Sequence, residues 1–411
     1  MSKHRERDRQ RARQRRLCPT RLLVALQIAM GLLVLLTAVG IALLWPQGEG
    51  IVRPPESRLP ETERAEVVAV TRTDCQVPDA DGCLEAKVEL ITGPDKGETT
   101  SFITGEAAND VTVQVGDQLR VTKTRVPEGG VIGGVEVPPY SLNDFERREP
   151  MYWLLGIFAL IVLAAGRLHG LRALVGLGIS LAVVIWFVVP AILDGREPLL
   201  VAIFGSFAVM LATIPVAHGL GPKTIAASFG TALSLLLTIA LVTTFTKLAH
   251  ITGFSAGDEV AYLKAYAENL SIQGLLLAGI VIAALGVLDD VTVSQSSTVM
   301  ALRRADPTQG FGQLFTGALS VGKDHITATV NTLFLAYVGA SLPVLLIFSV
   351  GDIDFGYAFN SEGVASQVIA TLTGSIGLIA AIPITTALAA LMAQHLPIEQ
   401  LADEHGHVHV H

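Results

Sequence analysis

Long apolar runs separated by short polar stretches dominate the chain. The first run covers residues 22–45 and is long enough to cross a hydrocarbon core of about 30 Å as a helix. A signal-peptide core has only about 7–15 residues, and this longer run ends in Trp45-Pro46, so we expect an uncleaved anchor. Later runs predict seven more spanning helices, at about 151–166, 173–193, 199–217, 224–246, 272–288, 326–350 and 364–392.

The apolar period changes to two between the first run and the second. Residues 65–70, 85–90 and 119–122 alternate apolar and polar side chains, as half-buried strands do. The sequence Gly-Pro-Asp-Lys-Gly at 93–97 has the composition of a turn. The pattern predicts a compact β domain at about 63–138, with an OB-like barrel as one form that such a small domain takes.

The composition supports lipid as the solvent of most of the chain. Hydrophobic residues make up 51% of the sequence and charged residues only 16%, whereas soluble domains carry about 25% charged residues. These values exclude a disordered protein, a disulfide-dense scaffold and a basic nucleic-acid binder.

The net charge of −8 is distributed unevenly. Residues 1–21 hold nine basic and two acidic residues, about +7, and residues 47–149 hold eleven basic and twenty acidic, about −9. Short loops rich in Lys and Arg stay in the cytoplasm, and alternate predicted loops carry such residues, namely Arg167, Arg172, Lys223, Arg303, Arg304 and Lys323. We therefore expect both termini in the cytoplasm and residues 46–149 outside.

The predicted fold class is an all-α polytopic membrane bundle of about eight transmembrane helices with an inserted extracytoplasmic small β domain. Its parts are a basic cytoplasmic tail at 1–21, an anchor at 22–45, an exterior linker and β domain at 46–149, a seven-helix membrane domain at 150–392 and a His-rich cytoplasmic tail at 393–411.

The two cysteines of the predicted exterior domain favour a disulfide. Cys75 and Cys83 flank a short polar loop that would face an oxidising compartment, and their bond would close a loop of about nine residues. Zinc ligation by the two thiols is the competing interpretation, but it lacks two further ligands nearby. Cys18 stands alone at the cytoplasmic end of the anchor, and we expect it to be inert.

Two polar faces on consecutive helices are the strongest candidates for function. If the helix at 272–288 continues, Asp290, Ser294 and Ser297 lie on one face. The next span begins with a second face, formed by Asp324, Thr327 and Asn331; Asp289 and His325 are additional candidates. Ionisable groups at membrane depth are costly and indicate an ion or proton path, so we predict a polar seam inside the bundle. The alternative interpretation places these carboxylates at the cytoplasmic interface, with Asp324 capping a helix and Asp289 solvated.

Alternate histidines end the chain, and they are able to bind a divalent metal weakly through imidazole nitrogens. A solvated tail without metal is the alternative for this set, which comprises His405, His407, His409 and His411. We predict no cofactor.

Two signatures of energy coupling and metal-dependent hydrolysis are missing from the sequence. A G-x-x-x-x-G-K-[ST] loop and H-E-x-x-H do not occur, which argues against an ATP-driven pump and a metalloprotease. An intramembrane aspartyl enzyme using Asp290 and Asp324 remains open, although a non-enzymatic function is favoured.

The polar motifs together resemble the YibE/F family of bacterial membrane proteins. The resemblance rests on Ala284-Leu285-Gly286 followed by Asp290, Ser294 and Ser297, and on Gly322-Lys323-Asp324-His325 leading into residues 329–333 and 336–339. It covers roughly 150–392 and implies a multi-pass, permease-like protein of the bacterial cytoplasmic membrane. Asp289 departs from the apolar residue of the family pattern, so the resemblance does not extend to a carboxylate pair.

Two hypotheses about function follow. The first is a permease-like protein that moves a small solute or ion along the polar seam, with proton or ion coupling through Asp290. The second is a non-transporting scaffold or stress sensor whose exterior β domain binds a protein partner. The expected partners are the lipid bilayer and an unidentified small solute or ion, without nucleic acid; a homo-oligomer and an extracytoplasmic protein partner both stay open.

Overall fold

The computed structural model divides the chain into two compact units, one formed by Met1–Val52 with Ala165–His411 and the other by Arg53–Ala164. The structure describes residues 19–48, 61–73, 83–104, 112–124, 131–132, 135–136, 138–254, 263, 270–351 and 353–396.

The second unit contains an antiparallel sheet with the strand order β3-β2-β1-β4-β7 and a two-stranded ribbon, β5-β6. The strands are β1 Thr62–Arg72, β2 Leu84–Leu90, β3 Thr99–Thr104, β4 Gln118–Lys123, β5 Val131–Ile132, β6 Val135–Glu136 and β7 Tyr140–Phe145. The predicted alternation is confirmed: Ala65, Val67, Val88 and Leu119 are buried on one face of the sheet. An OB-like barrel stays a prediction.

The helices of the chain are α1 Pro19–Leu44, α2 Arg148–Val183, α3 Val189–Leu193, α4 Pro198–His218, α5 Pro222–Leu248, α6 Ile272–Ala305, α7 Phe311–Ala340, α8 Leu342–Val350, α9 Phe355–Asn360 and α10 Glu362–His395. Within the described residues, six helices are long and apolar enough to cross a membrane, and the bent pair α7 and α8 gives a seventh candidate. The chain is a multi-pass membrane protein.

A kink at Arg167 divides α2 into two helical halves, at the point where the predicted spans 151–166 and 173–193 are separated; Arg172 lies in the second half and not in a loop. Arg167 adopts φ 50° and ψ −123°, which is not a helical conformation, so α2 consists of two helices joined across this kink. The helix then continues through a π-helical turn at Val184–Val188 into α3.

The predicted boundaries of two other spans also change. Helix α6 continues to Ala305, so the polar run after residue 288 is helical, as the face formed by Asp290 requires. Helix α7 begins at Phe311, which places Asp324 well inside a helix and not at its N-terminus as a cap. The helix bends by 57° before α8.

Three apolar clusters follow one another along the anchor α1. Leu26 packs against the cluster that contains Val299 and Leu314. Leu33 packs against the central cluster around Leu288, and Ile41 packs against a third cluster. The order of these contacts places the central cluster beside the middle of the predicted apolar run at 22–45, with one of the other two clusters beside each end.

The contact between α5 and α10 is close because small residues line it. A Cβ added to Gly230 would overlap the Thr385 hydroxyl, and one added to Gly377 would overlap the Thr238 hydroxyl. Small residues allow membrane helices to approach closely and gain van der Waals contact.

Candidate functional site

A half-open cavity of about 300 Å³ lies between the second half of α2, α4 and α6. Most of its lining is apolar. Its side chains with hydrogen-bonding groups are Ser180, Ser206, Thr213, His218 and Asp289. Ligand pockets of proteins begin at about this size and share this pattern of an apolar wall with a few polar groups.

Local backbone features open this space between the helices. Gly176, Gly205 and Gly286 each contribute to the lining without a side chain. The π-helical turn contributes Val184 and Val188 to the same wall. Single π-helical turns within longer helices are rare and occur frequently at functional sites.

The two helices that carry most of the polar groups have defined starts. Helix α4 begins with Pro198, and the Glu197 carboxylate accepts a hydrogen bond from the Leu200 N–H at 2.7 Å. Helix α6 is capped by Ser271, whose hydroxyl accepts from the Gly274 N–H at 3.0 Å. These caps satisfy N–H groups that a helix leaves without intrahelical partners, so they fix where each helix begins.

Asp289 is the carboxylate of the cavity. Its Oδ1 is buried and has no hydrogen-bond partner among the described residues. The Thr213 hydroxyl lies beside the carboxyl group, but it donates to the Val209 carbonyl at 2.8 Å. Ser206 is 1% exposed, and its hydroxyl also has no partner in the described part of the chain.

Buried polar groups without partners are uncommon because each costs about 1–3 kcal/mol, and a charged group costs more. Asp289 and Ser206 therefore offer unused hydrogen-bonding capacity at the wall of one cavity. An acidic oxygen and a hydroxyl in an apolar wall are suited to hold a proton, a cation or a small solute with a donor group.

The predicted face of α6 lies elsewhere. Asp290 is exposed, since adjacent residues of a helix point about 100° apart. Ser294 and Ser297 are half-buried, and the Ser297 hydroxyl donates to the Val293 carbonyl at 2.7 Å. Asp289, which the sequence ranked as an additional candidate, is the aspartate that lines the cavity.

The predicted face of α7 points away from the bundle. Asp324, Thr327 and Asn331 are exposed, as is His325. The reason is that α7 turns Ile326 towards the central cluster, which leaves the opposite face outside. The two predicted faces therefore do not form one buried seam within this chain, and their role in transport stays a prediction.

Sequence reasoning missed a buried polar network between the helices. Gln295 is 3% exposed and donates to the Ala318 carbonyl and the Thr386 hydroxyl, each at 2.8 Å. The hydroxyls of Thr231 and Thr292 are 2.6 Å apart and fully buried. These contacts connect α5, α6, α7 and α10.

A signal for this network is present in the sequence of α5. Hydroxyl residues recur there at spacings of three and four, as Thr224, Ser228, Thr231, Ser234 and Thr238. All five are buried, so the helical period of hydroxyl residues marks the face that packs against the other helices.

Two nearby carboxylates, Glu63 and Asp95, lie in the β unit. Asp95 Oδ2 accepts hydrogen bonds from Lys123 Nζ and the Tyr140 hydroxyl, both at 2.5 Å, and the Lys123 bond lowers the pKa of Asp95. Desolvation raises the pKa of Glu63, and the nearby Asp95 adds to this effect.

The structure describes only some of the candidate disulfide and metal-binding residues outside the bundle. Cys83 is disulfide-bonded, whereas Cys75 lies outside the described residues, so their pairing stays a prediction. His405, His407, His409 and His411 also lie outside the described residues. The described part of the chain contains no cluster of three or more His, Cys, Asp or Glu residues arranged to hold a metal ion.

Comparison with known proteins identifies the family. No curated protein matches the chain, and no solved structure does so either. A family model described as YibE/F-like protein matches residues 154–395, which include every residue that lines the cavity. The chain therefore belongs to the YibE/F-like family of proteins.

Proposed function

We propose that this protein is a permease-like carrier of the bacterial cytoplasmic membrane that moves a small solute or ion through the cavity beside Asp289. The observation that carries the proposal is the buried Asp289 Oδ1, which lacks a hydrogen-bond partner in the described part of the chain and lies at a cavity between apolar helices. An ionisable group inside a membrane bundle indicates a substrate or proton path.

The size of the cavity limits what is carried. A water molecule occupies about 30 Å³ in the liquid, so about 300 Å³ holds a hydrated ion or a small organic solute. A carboxylate in an apolar wall favours a cation or a protonated group, since an unpaired charge there is costly. Ser206 supplies a second contact for a bound group.

The membrane topology that fits this proposal has eight crossings. The stretch Arg148–Leu193 has 46 residues, which gives about 69 Å of helix, more than twice the thickness of a hydrocarbon core. The break at Arg167 divides it into two crossings. With α1 and the bent pair α7 and α8 as one crossing each, both termini are cytoplasmic and residues 46–149 lie outside.

Flux measurements with two neighbouring substitutions test the proposal. Asp289→Asn keeps the size of the side chain and removes its charge, so we expect loss of proton-coupled uptake in proteoliposomes. Asp290→Asn is the matched control, because it changes the exposed neighbour on the same helix and should retain uptake. Candidate solutes are first screened with the unmodified protein, using an internal pH dye and a panel of cations and small amines.

Equal uptake by Asp289→Asn and the unmodified protein would contradict the proposal. A different pair of results would support the scaffold or sensor function instead of transport. In that case no solute is taken up, and deletion of residues 63–138 abolishes the protein's effect on cell growth.

A further inference from the structure

Helix α7 has two unlike faces along its length. Leu319, Ile326 and Val330 pack against the central cluster of the bundle. The opposite side carries Asp324 and Asn331, both exposed. The helix therefore turns a polar stripe away from its own bundle.

The exposed stripe has the spacing of a coiled-coil seam. Asp324, Thr327, Asn331, Phe334 and Val338 follow one another at intervals of three, four, three and four residues. Phe334 is 53% exposed, and Val338 is half-buried. A mean repeat of 3.5 residues is what two helices need to keep one stripe in contact along their lengths.

This stripe begins at the level of the central apolar cluster of the bundle. Asp324 falls between Leu319 and Ile326, which both pack against the central cluster. The anchor residue Leu33 packs against the same cluster from the middle of the apolar run at 22–45. Contact between lipid and the Asp324 carboxylate would cost several kcal/mol, so a protein surface is the more stable neighbour.

We propose that the stripe of α7 packs against the same stripe of a second copy of this chain, forming a two-fold symmetric dimer. Two copies in one membrane have the same orientation, so their α7 helices run parallel and equal residues meet at equal depth. Each Lys323 then lies at the depth of the second copy's Asp324, which neutralises both carboxylates at once.

Asn331 fits the same arrangement. An asparagine at one core position of a parallel two-stranded coiled coil pairs with its symmetry mate and fixes the register of the helices. The pairing satisfies amide groups that lipid leaves without partners. The dimer does not depend on the cavity of Asp289, since that residue lies on α6.

Cysteine cross-linking in native membranes tests the dimer. Asn331→Cys in a Cys18→Ser chain should form a covalent product with the mass of two chains after mild oxidation. Thr332→Cys is the matched control: it is exposed on the same helix at nearly the same depth, but points about 100° away from the stripe. Thr332→Cys and the Cys18→Ser chain itself should stay at the mass of one chain.

Any one of three results would overturn the proposal. The first is absence of the cross-linked product for both Asn331→Cys and Phe334→Cys, and the second is equal cross-linking of Thr332→Cys. The third is a product whose mass shows a different protein as the partner.

A charge exchange provides a second, independent measurement. Asp324→Lys should convert dimers in nanodiscs to monomers, because four positive charges then meet at one depth. Adding Lys323→Asp to the same chain should restore the dimer. Failure of the double variant to dimerise, while it inserts normally, would contradict the pairing.

The Asp289→Asn variant separates this proposal from the proposed transport. It should remain a dimer while it loses uptake, so failure of one proposal leaves the other measurable. Loss of the dimer in Asp289→Asn would count against the interface on α7.

Discussion

Replacement of Gly230 by alanine should force α5 and α10 apart. Gly230 is buried on α5 and faces Thr385 on α10, which is 0% exposed. An added Cβ would overlap the Thr385 hydroxyl and would lie 2.9 Å from its Cβ and 3.1 Å from its Cγ2. Rotation of the threonine moves the hydroxyl but not the Cβ, so the backbones themselves must separate.

The expected loss of stability follows from these distances. Carbon atoms in good contact are about 3.5–4.0 Å apart, so the helices must separate by about 0.6–1.1 Å at this point. Overpacking of this kind costs about 1–3 kcal/mol, and the higher helix propensity of alanine returns up to about 1 kcal/mol. We expect a net loss of up to about 3 kcal/mol in the free energy of unfolding, and a loss of about 1–3 kcal/mol relative to a glycine-to-alanine change without such an overlap.

Thermal unfolding of the purified protein in detergent measures this loss. Gly279→Ala is the control, because a Cβ there has no atom within 4 Å and should stabilise α6 slightly. Combining Gly230→Ala with Thr385→Gly should recover part of the lost stability by removing the threonine side chain. A Gly230→Ala protein as stable as the Gly279→Ala protein would refute the close packing of these helices.

Three further predictions concern groups that the structure places in defined surroundings. The hydrogen bond from Arg148 lowers the pKa of Glu146 from 4.5 to about 2. The stabilisation by this ionised carboxylate is therefore complete above about pH 4.5 and is lost as the pH falls towards 2. Glu146→Gln should remove this decrease from a plot of melting temperature against pH. Gln295→Leu removes two buried hydrogen bonds and should lower the free energy of unfolding by about 1–3 kcal/mol, measured in the same melts. Mass spectrometry after alkylation should find Cys75 and Cys83 blocked until reduction, and alkylation of either thiol beforehand would contradict their pairing.

The sequence predicted the helices of the bundle well, but it ranked Asp290 above the aspartate that lines the cavity. Asp290 was preferred because it forms a helical face with Ser294 and Ser297. The structure places Asp290 outside and Asp289 at the cavity. A helical period shows which residues share a face, but it does not show which of two polar faces a neighbouring helix covers.

The face of α7 shows the same limit. The spacing of Asp324, Thr327 and Asn331 predicted a shared face, and the helix shows one. Its direction depended on Ile326 and Val330, which are half-buried against the central cluster. Residues far apart in the sequence form that cluster, so the direction of the face was absent from the local pattern.

The sequence by itself determined the parts whose physical cause is local. Three features depend on neighbouring residues alone. These are the length and hydropathy of each apolar run, the period of two in β1, β2 and β4, and the uneven distribution of charge. The tertiary structure decided the contact of Gly230 with Thr385, the position of Gln295 between three helices and the cavity beside Asp289. These features depend on how helices distant in sequence pack together, because a close contact or an empty space belongs to several helices at once.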